Sequence, residues 1–245
     1  MEASKKVVFI KDWILNYVNS MPKKAQSLVI GVSGGIDSSV TSTLCAMTGI
    51  KTIVASMPIQ QISSQHDLSI KHKEWLKEKF KNVESHTIEL DEVFKSFQSK
   101  LSKFDNDHGM ANSRARIRMT TLYQVAAANN GIVVGTGNKV EDFGVGFFTK
   151  YGDGGVDISP IADCTKTEVW ELGKELGISE DIIQAQPTDG LWDDGRTDIG
   201  QLGLTYQELE DAMNNENSPH RSKYLEKRKL NLHKMEPIPV CKIPK

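Results

Sequence analysis

The stretch that most constrains this chain is "SLVIGVSGGIDSSV" (27–40). Its first six residues are an apolar run with no polar alternation, closed by glycines. A run of that kind reads as a strand buried on both faces, which is the environment a parallel sheet supplies. The pattern recurs at "GIVVGTGN" (131–138), another apolar run entering a glycine turn. Strand candidates at 49–59 and 84–90 lie between them. Helix candidates follow at 38–47, 66–80, 91–101 and 114–129, with "NDHGMANS" (106–113) breaking the pattern. Repeated alternation of strand and helix implies an α/β fold, a doubly wound parallel sheet flanked by helices. Ligands of such sheets sit beyond the carboxyl ends of the strands, where both glycine turns fall.

The remaining segments frame this unit. "VVFIKDWILNYV" (7–18) carries Val8, Ile10 (or Phe9), Trp13, Ile14, Tyr17 and Val18 at helical spacing, which predicts an amphipathic helix. Residues 141–157 are glycine-rich and read as a loop. Thr165 caps a helix that Gly177 stops. Residues 186–200 read as a long irregular loop, and 205–213 and 218–234 as two closing helices. The expectation is a single domain over 1–245, without repeats.

Thirty basic against 32 acidic side chains leave a net charge of −2. That argues against a dedicated duplex-binding surface, so no nucleic-acid partner is expected. Cys45, Cys164 and Cys241 are odd in number and far apart, without a CxxC pair. Neither a disulfide framework nor a structural zinc site is expected, and reduced thiols point to the cytoplasm. No run of about 18 apolar residues is present, so no membrane span is expected.

The chemistry of the first turn follows from what it lacks. A Walker A loop needs lysine after its last glycine, and here Ile36 follows Gly35. GxGxxG is absent too. Gly34 and Gly35 allow close backbone approach and positive φ. The amides opening the next helix favour an anion, and Ser33, Ser38 and Ser39 add hydroxyls. Asp37 would repel a bare phosphate, so it makes sense with a cation between them, and magnesium is the usual bridge.

The string SGGxDS resembles the pyrophosphate-binding loop of the ATP pyrophosphatase group. With "GTGNKVEDFGVGFFTKYGDGGVDISPIADCTKTEVW" (135–170), "NSRARIRM" (112–119), "PTDGLW" (187–192) and "LGLTYQEL" (202–209), the chain from about 28 to 234 resembles NAD synthetases. The resemblance implies a Rossmann-like ATP pyrophosphatase fold. It implies ATP-dependent amidation of deamido-NAD with ammonia, through an adenylate, releasing AMP and pyrophosphate. It places ATP on Gly31, Val32, Ser33, Gly34, Gly35, Ile36, Asp37, Ser38, Thr136, Lys166 and Thr188. Magnesium falls to Asp37 and Glu141. Deamido-NAD falls to Arg116, Lys150, Asp157, His233 and Lys234, and Asp153 is the candidate catalytic group for the ammonia step. Phe147, Phe148 and Tyr151 are left open between packing and stacking on nicotinate.

Arg114, Arg116 and Arg118 lie two apart and do not share one helix face, so at most one or two enter a pocket; the resemblance singles out Arg116, with a surface role and an ion pair expected for the other two. Lys166, second in its helix, is poorly placed for the helix dipole, which favours a phosphate partner. Cys164 stands where the family more often has leucine. "GRTDIGQLG" (195–203) lacks the family's run of acids, so no role is expected for acids there. About thirty residues precede the loop, which leaves no room for a glutaminase domain and makes free ammonia the expected nitrogen donor. A homodimer is implied. The competing readings are another ATP pyrophosphatase, such as a tRNA thiolase or lysidine-type ligase, and a non-catalytic ATP-binding module. Residues 59–66 and 186–200 are expected to close over substrate.

Overall fold

The computed structural model describes residues 1–60, 63–188, 190–192 and 197–244. Its elements run α1 (Ala3–Ser20), β1 (Ser27–Gly31), α2 (Ile36–Met47), β2 (Lys51–Ser56), α3 (Ser63–Lys79), β3 (Val83–Thr87), α4 (Asp91–Lys100) and α5 (Asp107–Ala128). They continue with β4 (Gly131–Val133), α6 (Lys166–Leu176), α7 (Glu180–Ile183), α8 (Asp198–Leu202), α9 (Tyr206–Asn214) and α10 (Arg221–Met235). The strands form one sheet in the order β3-β2-β1-β4. Every pairing is parallel, with Leu28 opposite Thr52 and Ile132. Chain order reverses direction at β1, so β1 and β4 flank the switch point where such sheets open a crevice.

The unalternating strand pattern is explained by two filled faces. Leu28, Ile30, Ile132 and Val134 pack in one cluster with Ile14, Val40, Leu44 and Leu172 from α1, α2 and α6. Val29, Ile53 and Val133 point the other way and meet Ala126, Leu122 and Tyr123 of α5. Each buried aliphatic of this kind is worth roughly 1.5–3 kcal/mol of transfer free energy, so both faces demand apolar residues. A smaller cluster gathers Val140, Val145, Leu202, Leu204, Tyr206, Leu209 and Tyr224 around α9 and α10.

Four local expectations need adjustment. Helix α1 buries Val7, Ile10, Ile14 and Val18, while Val8, Phe9, Trp13 and Tyr17 are exposed; the helix has two apolar stripes and the core takes one. Helix α5 begins at Asp107, earlier than the break at 106–113 implied. The side chain of Asn106 accepts from the Gly109 amide and stabilises the first turn through that glycine. The expected loop 141–157 opens with a π-helical turn, Lys139–Val145, capped by Asn138 and stopped by Gly146 at φ 67°. Within 186–200, Thr197 caps the short α8. Thr165 and Gly177 bound α6 as expected, with a reciprocal Thr165–Glu168 capping box. The expected closure of 59–66 and 186–200 rests partly on residues 61, 62, 189 and 193–196, which lie outside those described.

Candidate active site

The site is built where the two glycine turns meet. After β1 the chain passes Gly34 at φ 92°, a left-handed conformation that glycine adopts without strain. Gly35 caps α2 at φ −82°, so only one of the pair uses positive φ. The serines hold the loop itself. Ser38 and Ser39 both donate to the Gly35 carbonyl at 3.0 and 2.9 Å, and the Gly35 amide donates to Ser33 Oγ at 3.2 Å. These hydroxyls fix the loop's shape, and the amides at the start of α2 remain the feature suited to an anion.

Asp37, second in α2, meets Glu141 of the π-helical turn across a single lysine. Lys166 Nζ donates to Asp37 Oδ2 at 2.6 Å and to Glu141 Oε1 at 2.8 Å. The lysine side chain is 1% exposed and the two carboxylates 17% and 16%. Burial would lower the lysine's pKa, but the two acids outweigh it and raise it. Burial would raise Glu141, yet Lys166, Tyr206 and Asn138 together bring it below its ordinary value. Burial raises Asp37 over the opposing pull of Lys166, with the Glu141 charge adding to the rise. The lysine is thus fully charged between an ionised glutamate and a destabilised aspartate. Two carboxylates already converge on one cation here, and hard oxygen donors of that type suit Mg²⁺. Among the described residues no cluster of three or more His, Cys, Asp or Glu has metal-binding geometry, so any ion here would take its remaining ligands from substrate or water.

Three participants were not legible in the sequence. Asn138, wholly buried, donates to Asp37 Oδ1 at 3.1 Å while its Oδ1 accepts from the amides of Val140 and Glu141. Tyr206, 1% exposed, places its hydroxyl 2.6 Å from Glu141 Oε1 and 3.0 Å from Asp198 Oδ2, with a single proton to share between them. Asp198 sits in the stretch where no acid was expected to matter, and it is buried inside this network. Burial, then the charges of Glu141 and Asp198, push the Tyr206 hydroxyl up, so it remains a protonated donor.

Around the cluster opens a cleft of about 580 Å³, within the usual range for small-molecule sites. Its walls include the loop 31–38, Thr136, Lys166 and Thr188, together with Arg116, Lys150, His233 and Lys234. Asp157 does not line it: its carboxylate accepts from the Val133 amide at 2.7 Å and from Tyr123 at 3.1 Å, bracing β4. A side pocket of about 190 Å³ opens beside the cleft, with Asp142, Asp153, Phe148 and Lys234 in its walls. Asp153 is exposed on its outer side, and its carboxyl accepts from the Thr149 amide at 2.9 Å. Crowding by protein, with the Glu141 charge adding to it, raises its pKa to about 6 against hydrogen bonds from its own and the Thr149 amide. Lys234 donates to the Phe148 carbonyl at 2.8 Å and lies 5.1 Å above that ring. Phe147 packs on the small cluster around Tyr206, while Tyr151 is exposed.

Arg114 and Arg118 differ from the expected surface and ion-pair roles. Being four apart, they share a face. Arg118 donates to the carbonyls of Met57 and Gly190 at 3.0 and 3.4 Å, and Arg114 to Leu191 O and to Gln60 Oε1 at 2.7 Å. Together they tie the end of β2 to the segment after Thr188. Among the described residues, Arg116 reaches the Lys150 carbonyl, at 3.3 and 3.4 Å.

A parallel sheet whose switch point holds a glycine-acid loop, facing an acid–lysine–acid cluster, defines a nucleotide-binding α/β protein. The NAD synthase family profile matches residues 6–241, and the chain belongs to that family. The NH(3)-dependent NAD(+) synthetase of Alkaliphilus metalliredigens is 35% identical over 98% of this chain and 99% of its own. That of Mesoplasma florum is 37% identical over 88% and 90%. The NMN synthetase of Francisella tularensis superposes with a TM-score of 0.92 at 30% identity, covering 99% of this chain and all of that one. The NH3-dependent NAD synthetase of Campylobacter jejuni gives 0.79 at 26% identity, with the same coverage.

Proposed function

We propose that this protein amidates deamido-NAD with ammonia at the expense of ATP, giving NAD, AMP and pyrophosphate. The observation that carries the reading is the Asp37–Lys166–Glu141 cluster beside the loop 31–38. Two carboxylates and a lysine at the start of a helix suit a polyphosphate and its counter-ion. In the first step a nicotinate carboxylate oxygen bonds to the α-phosphorus of ATP, the bond to the bridging α–β oxygen breaks, and pyrophosphate leaves. The amides of 34–38 hold the departing phosphates, and Lys166 balances the charge that develops. Asp37 and Glu141 would hold Mg²⁺, which when bound supplies further positive charge at the phosphates. Thr136 and Thr188 line the ATP side. Arg116, Lys150, His233 and Lys234 line the side assigned to the dinucleotide, and Asp157 supports that side by bracing β4.

Ammonia then attacks the acyl carbon, the acyl–oxygen bond breaks, and AMP leaves. Asp153, ionised above about pH 6, holds the incoming nitrogen and takes a proton. The side pocket beside it is large enough for ammonia. Supporting a homodimer is the exposed stripe Phe9, Trp13 and Tyr17 on α1. We place the enzyme in the cytoplasm with no nucleic-acid or membrane partner; no helix among the described residues is long and apolar enough to cross a membrane.

A second acceptor is favoured by one observation. The superposition on the NMN synthetase is tighter than that on the Campylobacter NAD synthetase. Nicotinate mononucleotide carries the same reacting carboxylate and lacks only the adenylate half. The test is NAD or NMN formation with ATP, Mg²⁺, either acceptor, and either ammonia or glutamine. Product with ammonia and not glutamine supports the amidation reading, and the ratio of kcat/KM for the two acceptors decides between them. AMP release that neither acceptor stimulates would overturn both.

A further inference from the structure

Tyr206 is a buried side chain whose packing explains its ring but not its hydroxyl. The ring is fixed from several sides. It meets Trp170 edge-on at 5.8 Å, has Lys166 Nζ 4.8 Å from its centroid, and packs with Val140, Val145 and Leu209. Thr205 and Glu208 close a capping box at the turn it begins, so its backbone is fixed as well. Phenylalanine would fill the same space. The hydroxyl instead sits between two carboxylates, 2.6 Å from Glu141 and 3.0 Å from Asp198.

The geometry at Glu141 gives that hydroxyl a task. Tyr206 and Lys166 both reach the same oxygen, Oε1. Two donors converging on one oxygen from different elements fix the plane of the carboxylate and set the direction of its second oxygen. Asp198 in turn fixes the hydroxyl. Its own amide donates to the Pro187 carbonyl at 3.1 Å, which ties it to the residue before Thr188. Ligating carboxylates depend on such outer partners for orientation, and loss of one costs about 10–100-fold in metal affinity or activity.

We propose that Tyr206 and Asp198 are positioning residues that hold Glu141 in its cation-binding orientation and link that orientation to the segment bearing Thr188. This rests on the reading of Asp37 and Glu141 as the divalent-cation site. Tyr206 is not part of the cleft wall, and Asp198, which is, has its role here through the tyrosine hydroxyl. Each acts through Glu141.

The experiment is titration of the full-length protein with Mn²⁺ alone, followed by electron paramagnetic resonance of the free ion, for wild type, Tyr206→Phe, Asp198→Asn and Glu141→Gln. Tyr206→Phe is expected to weaken Mn²⁺ binding about 10–100-fold. The metal-free melting curve should still show one cooperative transition, and the KM for deamido-NAD should be unchanged. Asp198→Asn, which leaves the tyrosine in place, is expected to weaken binding in the same direction and serves if Tyr206→Phe does not fold. Glu141→Gln should abolish binding. Tyr206→Phe and Asp198→Asn both binding Mn²⁺ as wild type does, with Glu141→Gln inactive in binding, overturns the relay and leaves the metal site standing. Wild type that binds no Mn²⁺, or Glu141→Gln that binds it normally, overturns the site and the relay with it.

Discussion

Replacing Lys166 by methionine is the most informative perturbation of this molecule. Methionine keeps most of the apolar stem and removes the charge. The lysine is 1% exposed, and its two carboxylate partners are 17% and 16% exposed. Removing one partner of a buried ion pair costs about 3–5 kcal/mol, because the other charge is left uncompensated. Water reaches both carboxylates slightly, so the expected loss is near the lower limit, about 3 kcal/mol. In a chain of this size 1 kcal/mol corresponds to roughly 2–4 °C in Tm, which gives a fall of about 6–12 °C in EDTA at neutral pH. The sign of the pH dependence follows. Without the lysine, burial and mutual repulsion hold both folded-state acid pKa values above their ordinary 3.8 and 4.5. An acid whose folded pKa lies above its unfolded value loses stability as pH rises. The deficit should therefore be largest at neutral pH and shrink as pH falls toward those ordinary values. Added Mg²⁺ should recover stability in the variant, by about 2.7 kcal/mol at 100 times its Kd. Scanning calorimetry at several pH values, with EDTA or Mg²⁺, measures all three. A Tm within about 2 °C of wild type in EDTA, or a deficit that grows on acidification, would refute the electrostatic account.

Other consequences are separable. Asp153→Asn should leave pyrophosphate release from ATP and deamido-NAD intact while slowing NAD formation about 10²–10⁴-fold, and wild-type activity should fall as pH drops through about 6; an unchanged rate with ammonia contradicts the role. A Cβ on Gly137 would lie 1.8 Å from Asp142 Oδ2, so Gly137→Ala should cost about 1–3 kcal/mol by overpacking, and adding Asp142→Ala should restore most of it in a denaturant titration. A thiol reagent should modify Cys241 quickly and leave Cys45 and Cys164 untouched until unfolding. Both of the latter are buried, and burial pushes both thiols up, that of Cys164 to about 11; two fast equivalents would refute this.

Legibility in the sequence followed the range of the interactions. The strands 27–31 and 131–133 were readable because burial on both faces leaves an unbroken apolar run. Thr165 and Gly177 were readable because caps act within a few residues. The face of α1 was not, since Phe9, Trp13 and Tyr17 are as apolar as Ile10 and Ile14 and only the packed sheet separates the stripes. Lys166 could be selected from its awkward place at a helix start. Its partners could not, because Asp37 lies 129 residues away. Tyr206 lay inside the quoted motif "LGLTYQEL" but nothing local marked its hydroxyl, and Asp198 carried no local sign. A tyrosine beginning a capped helix is ordinary, and Asp198 reads as an ordinary first-turn acid; their meaning comes from Glu141, 65 residues before Tyr206. The three arginines of α5 were misread by treating spacing of two as the only relation, when 114 and 118 stand a turn apart.

The strand order has a consequence for how the molecule comes into being. The first three strands are neighbours in sequence as well as in space, but the connection from β3 to β4 must pass over β2 and β1 to reach the free side of β1. Contacts of such long reach are slow to form, because loop-closure entropy comes due before they are rewarded. Asp37 is synthesised early, while Asn138, Glu141, Lys166 and Tyr206 all follow the crossing. During translation the glycine loop therefore exists well before anything can neutralise its acid. The last strand ends at Val133, so the sheet's pairing partners are all synthesised before Glu141, Lys166 and Tyr206, and the site around Asp37 can close only after the sheet's own sequence is complete.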